Sequence, residues 1–148
     1  MTDFNAIKTS VDDKLNALGI KYRAEFAGRT ERDSWKCFHW RITFARAGKG
    51  AAYSADYYMG LAHVTAPKHS YVDPKPIAPH AADVLHSLVL DAGANELSFA
   101  DWADNYGYSD DSLKALRVYQ DCCAISKELA RLFSRSELSE LADIVAEL

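Results

Sequence analysis

The sequence predicts a single α+β domain over residues 1–148: an N-terminal helix, a three-stranded antiparallel meander, then about four C-terminal helices. Three successive segments alternate apolar and polar residues with a period of two, separated by short turns. The segments before and after them place apolar residues every three or four positions. At 148 residues the chain is long enough to bury one sizeable core without disulfides or metals.

The first helix is expected over residues 3–18. Phe4, Ile7, Val11, Leu15 and Leu18 make one stripe, Thr2 or Asp3 can cap the start, and Gly19 stands where helices end. The first strand, over 20–26, turns Ile20, Tyr22, Ala24 and Phe26 one way and Lys21, Arg23 and Glu25 the other. The charged stretch GRTERDS at 28–34 reads as a turn region. A second strand, over 35–45, has Phe38, Trp40, Ile42 and Phe44 on one face, with Trp35, Cys37, His39, Arg41 and Thr43 on the other. After Gly48-Lys49-Gly50, the third strand over 51–61 alternates Tyr53, Ala55, Tyr57, Met59 and Leu61 against Ser54, Asp56 and Tyr58. Such alternation belongs to an antiparallel sheet with one buried and one solvated face.

Residues 63–79 hold all four prolines, and His63, His69 and His80 lie in or beside them. Long loops of this kind are often functional. Pro79 can occupy the first turn of a helix over 80–92 that turns Ala81, Val84, Leu85 and Leu88 inward. A short helix then starts at Ser98, with Phe99, Trp102 and Tyr106 on one face, and stops at Gly107. The cluster Ser109-Asp110-Asp111-Ser112 supplies acceptors and negative charge to the start of the longest helix, which runs to about residue 133. Capping also accounts for Asp101, Asp110 and Asp111. The wide stripe of that helix, Ala115, Val118, Cys122, Ile125, Leu129 and Leu132 with Leu116 and Tyr119, marks a central helix with several neighbours. Ser134 and Glu137 form a capping box for a last helix carrying Leu138, Leu141, Val145 and Leu148. Its acidic outer face requires packing to hold it, on the domain or on a second copy as a homodimer.

Composition narrows the function classes. No apolar run is long enough to span a membrane, and the N-terminus lacks the pattern of a secretion signal. Three cysteines, two of them adjacent, argue against a disulfide framework, so a cytoplasmic setting is expected. Charge is split: residues 1–74 hold 11 Lys/Arg against 8 Asp/Glu, whereas residues 75–148 hold 6 against 13. An acidic half suits a basic partner.

Several fragments occur together: WKCFHWRITF at 35–44, YYMGLAH at 57–63, SLVLDA at 87–92, Phe99-x-x-Trp102-x-x-x-Tyr106-Gly107-Tyr108-x-x-Asp111-Ser112, and Tyr119-x-x-Cys122. The arrangement, over residues 35–133, resembles a group of small, mostly uncharacterised phage and prophage accessory proteins. The resemblance implies a phage accessory protein; the chain carries no recognisable catalytic motif, so neither an enzyme nor a cofactor is expected. By context the resemblance implies an inhibitor of a host defence protein, of the anti-CRISPR kind, acting in the host cytoplasm on a partner such as a CRISPR effector.

Three sets of residues are candidate sites. The acidic set, Glu137, Glu140, Asp143, Glu147, Asp101 and Asp104, could occupy a basic channel by imitating phosphate charge. On the open sheet face, Arg23, Trp35, His39, Arg41 and Tyr58 place aromatics among cations, the pattern that stacks bases and contacts phosphate in single-stranded nucleic acid. Helices lying over that face would remove this alternative. The loop 63–80, with His63, Tyr71 and Asp73, could hold an acid–base site, but no nucleophile or oxyanion feature accompanies it. His63, His69, His80 and His86 lack metal-ligand spacing, so no metal is expected.

Overall fold

A computed structural model describes residues 3–32, 35–60 and 76–148 of the chain. It has an N-terminal helix α1 (Phe4–Ala17) and strands β1 (Ile20–Arg32), β2 (Trp35–Arg46) and β3 (Ala51–Gly60). Four more helices follow: α2 (Ala81–Ala92), α3 (Phe99–Asn105), α4 (Leu113–Leu132) and α5 (Arg135–Val145). The strands form one antiparallel sheet in the order β1-β2-β3. The α+β meander expected from periodicity is therefore the observed architecture. No helix among the described residues is long and apolar enough to cross a membrane.

The helices gather on one face of the sheet. Val11 and Leu15 of α1, Ile42 and Phe44 of β2, Tyr53 of β3, Val84, Leu85 and Leu88 of α2, Leu129 and Leu132 of α4, and Leu141 and Val145 of α5 share the main core. The period of two puts β-strand apolar residues on that face, and the period of 3.6 turns each helix's stripe toward it. Tyr22 donates its hydroxyl proton to the Pro79 carbonyl at 2.7 Å, fastening the start of α2 to β1. As the width of its stripe predicts, α4 is central: it touches β3, α2, α3 and the 3-10 turn Gly93–Glu96.

Two local expectations are corrected. β1 does not end at residue 26, and the stretch 28–34 is not a turn region from its start. A β-bulge between Phe26 and Gly28 shifts the register, and pairing continues from Gly28 opposite His39 to Arg32 opposite Trp35. Gly28 takes φ +117°, which a side chain would resist. Beyond the bulge, Arg29 lies opposite Phe38, and its guanidinium covers the Phe38 ring at 5.3 Å. A cation thus does the covering that alternation assigns to an apolar residue. Phe38 and Trp40 form a separate small cluster there with Ala24, Tyr57 and Met59. The second correction concerns α2. Pro79 precedes the helix instead of sitting in its first turn, because His80 is the N-cap. Its Nδ1 accepts the Ala82 amide proton at 3.0 Å, while Nε2 faces the Asp12 carboxylate at 3.1 Å. Nδ1 as acceptor leaves the ring proton on Nε2, which donates to Asp12.

α3 is held differently from the rest. Trp102 and Ala103 join Ala115 of α4 in a satellite cluster with Leu97, Phe99, Val118 and Tyr119 around them. Gly107, at φ +74°, reverses the chain after α3, and the Tyr108 amide then donates to the Ala103 carbonyl at 2.8 Å. Nothing lies within 4 Å of where a Gly107 Cβ would be, so substitution strains only the backbone. Gly107→Ala should lower stability by about 1 kcal/mol, read as a lower urea midpoint with an unchanged slope.

Candidate interaction surfaces

Two of the three acidic residues of α5 are engaged by the fold. Glu137, the third residue of α5, is only 18% exposed. Its amide donates to Ser134 Oγ at 3.2 Å and its Oε1 accepts from the Ser134 amide at 2.7 Å, which completes the expected capping box. Arg46, from the end of β2, donates to both carboxylate oxygens at 2.8 and 3.1 Å and to the Leu132 carbonyl at 2.8 Å. The Arg46 hydrogen bonds, with those from Ser134, hold the Glu137 carboxyl down at about 2. Glu140 pairs with Lys14 of α1. Asp143 and Glu147 remain exposed and have no ion-pair partner among the described residues. Leu141 and Val145 bury α5 against the domain, so no second copy is needed to hold it.

The aspartates around α3 have the opposite fate. Serines do the capping that the sequence offered to them. Ser98 Oγ accepts from the Asp101 amide at 3.2 Å, Ser109 Oγ from the Asp111 amide at 3.3 Å, and Ser112 Oγ from the Ala115 amide at 3.2 Å. A serine hydroxyl reaches the third amide without strain, so the carboxylates are left over. Asp101, Asp104, Asp110 and Asp111 are all exposed, and no ion pair engages them among the described residues.

The same junction displays aromatic surface. Trp102 is buried and Tyr108 stacks flat on it, 5.2 Å between centroids and 6° between planes. Tyr106 and Tyr119 each lie 5.5 Å from Trp102. The Tyr119 hydroxyl donates to the Leu97 carbonyl at 2.6 Å, tying α4 to the segment before α3. Tyr106, Tyr108 and Leu113 stay 56%, 42% and 73% exposed. Aromatics in this stretch were legible as docking residues, but the outward part of Tyr106 and Tyr108 was not. Both rings reach Trp102, one from each side of Gly107, and each keeps an edge in solvent.

Among the described residues no helix lies over the open sheet face, since the helices pack on the side of Ile42 and Phe44; Cys37, on the open side at its far end, is nevertheless buried. His39 and Tyr58, opposite one another on β2 and β3, stack at 4.7 Å and 11°. His39 Nε2 lies 2.9 Å from Asp56 Oδ1 and Arg41 Nη1 lies 3.5 Å from it. Arg23 pairs with Glu25 at 3.1 Å. Trp35 opens β2 opposite Arg32. The face therefore brings His39, Arg41 and Tyr58 together as expected, but sets a carboxylate beside each of its cations at Arg23 and Arg41. That lowers the positive potential nucleic-acid binding depends on.

No family model matches the chain, nor does any curated protein or solved structure. His63, Tyr71 and Asp73 of the acid–base alternative, and His69, lie outside the described residues. His80, at the end of that loop, caps α2. Among the described residues no three His, Cys, Asp or Glu side chains converge as metal ligands.

Proposed function

We propose that this chain is a non-enzymatic binding protein that engages a positively charged partner protein through the junction of α3 and α4. One observation carries the reading: four exposed aspartates left over from capping, Asp101, Asp104, Asp110 and Asp111, share the stretch 101–113 with exposed Tyr106, Tyr108 and Leu113. Protein interfaces favour an aromatic centre, and charge at the rim steers and selects the partner. The phage-protein resemblance narrows the partner to a host defence protein, with the basic nucleic-acid channel of a CRISPR effector as the best fit to the charge. Within the acidic set predicted from sequence, weight moves to Asp101 and Asp104, joined by Asp110 and Asp111. Asp143 of α5 and Glu147 just beyond it are exposed and without an ion pair among the described residues, whereas Glu137 and the exposed Glu140 are engaged by Arg46 and Lys14.

The test is quantitative affinity capture from host lysate with wild type, Asp110→Lys/Asp111→Lys, Tyr108→Ala and Arg41→Glu. A basic protein retained by wild type and Arg41→Glu, and reduced at least tenfold in the other two, supports the proposal. Capture of RNA or DNA instead, lost with Arg41→Glu and steeply salt-dependent, overturns it and assigns binding to the sheet face.

A further inference from the structure

A concavity lies away from the α3–α4 junction. The end of α2, the turn Gly93–Glu96, the second half of α4 and the first half of α5 enclose a groove of about 720 Å³. α5 begins two residues after α4 ends, so the two helices diverge sharply from Phe133 and Ser134. Where they diverge, the lining side chains are small: Ala92, Gly93, Ser126, Ala130, Ser139 and Ala142. Large apolar residues would have closed the corner; these leave it open. Val89, Phe133 and Leu138 provide an apolar floor.

The volume lies within the range of sites for small organic ligands, which are mostly apolar with a few placed polar groups. Two charged residues line the groove, Arg135 and Glu96. Their contact is 3.5 Å long, with the side chains 93% and 71% exposed, so water and salt weaken it and a ligand can displace it. The sign of the preferred ligand follows from what stands beside each. Arg135 is the first residue of α5, where the positive end of the helix dipole adds to its charge. The nearby Glu137 carboxylate is neutralised by Arg46 and does not cancel it. Glu96 has no such reinforcement from the α5 end.

We propose that this groove binds a small amphiphilic anion, with its apolar body along Val89, Phe133 and Leu138 and its carboxylate or phosphate head at Arg135. Such a site is independent of the partner surface on α3 and α4, and its success or failure leaves that reading untouched.

Decanoate is the probe, titrated into the full chain by calorimetry and by amide chemical shifts. Decyl phosphate, decanol and decyltrimethylammonium serve as head-group comparisons. Saturable decanoate or decyl phosphate binding is expected, with shifts confined to residues 89–96 and 126–142. Decanol should bind more weakly and the cation weakest. Ala130 is exposed at the mouth, so Ala130→Trp fills the groove without disturbing the core, and it should weaken binding at least tenfold. Arg135→Ala should weaken it about fivefold, and Glu96→Gln, which releases Arg135, should tighten it. Circular dichroism confirms that each variant is folded. The proposal is overturned by absence of saturation at millimolar decanoate, by shifts elsewhere, by equal binding of the cation, or by a folded Ala130→Trp that binds as wild type does.

Discussion

Replacing Arg46 by methionine should destabilise the protein, lowering Tm by at least roughly 4 °C. Arg46 closes β2 and is only 16% exposed. Its guanidinium joins three elements, since it donates to the last carbonyl of α4 and to both oxygens of Glu137 in the first turn of α5. Methionine keeps most of the apolar stem but leaves Glu137 half-buried and the Leu132 carbonyl without this donor. The loss is therefore larger than that of an exposed ion pair, for which about 0–1 kcal/mol is usual. Glu137→Gln should cost less, because an amide can still accept from Arg46. The double variant should be less destabilised than the sum of the two singles, as expected of residues that act as a pair.

The same pair predicts an acid limb. Glu137 is shifted down from an ordinary 4.5 to about 2. A group whose folded pKa is depressed contributes stability that is complete above its unfolded pKa and is lost as pH falls through its folded one. The stability gap between wild type and Arg46→Met should therefore be constant above pH 4.5 and narrow between pH 4.5 and 2. Urea midpoints measured across that range check it. A gap that stays constant to pH 2 would mean that Arg46 acts only through the Leu132 carbonyl.

What was legible in the sequence is what repeats locally. The alternation through Phe38, Trp40, Ile42 and Phe44 reports one face of one sheet, and all four are buried. The stripe Ala115, Leu129 and Leu132 likewise points to the side of α4 that the domain covers. The capping box at Ser134 and Glu137 needs only four residues to be read, and it is present. The bulge at Gly28 was not legible, because a glycine followed by charges looks the same whether the chain turns or pairs through a positive φ. The partners of Glu137 and Glu140 were hidden for another reason. Arg46 stands 91 positions before Glu137 and Lys14 stands 126 before Glu140. No local pattern reports such contacts, so an acidic stripe read as an interaction surface is half structural. The aspartates near α3 failed in the converse way. Serine and aspartate both cap helices, and only geometry shows that the serines do so here.

The second large effect should come from Trp102→Ala, and it should be local. Trp102 is 4% exposed and faces Phe99, Tyr106, Tyr108 and Tyr119. Removing a buried tryptophan costs about 3–5 kcal/mol where the site cannot collapse. The satellite cluster, however, contains residues of α3, of the segment before it and of the first half of α4, while the main core uses Leu129 and Leu132 from the other half. The missing ring therefore releases α3 before it unfolds the domain. Hydrogen exchange should speed up by at least a hundredfold at the amides of residues 99–108, and by less than tenfold at residues 129–132. Tyr108→Ala should leave the protection of α3 within tenfold of wild type, since Tyr108 lies on the outside of the stack. Partner capture separates the two roles further. Trp102→Ala should abolish it, because Asp101, Asp104 and Tyr106 lose their fixed positions, whereas Tyr108→Ala removes one contact and keeps the rest in place. If Trp102→Ala opened α3 and capture survived undiminished, the contact would have to lie elsewhere, and exposed Asp143 of α5 and Glu147 just beyond it would be the next surface to reverse in charge.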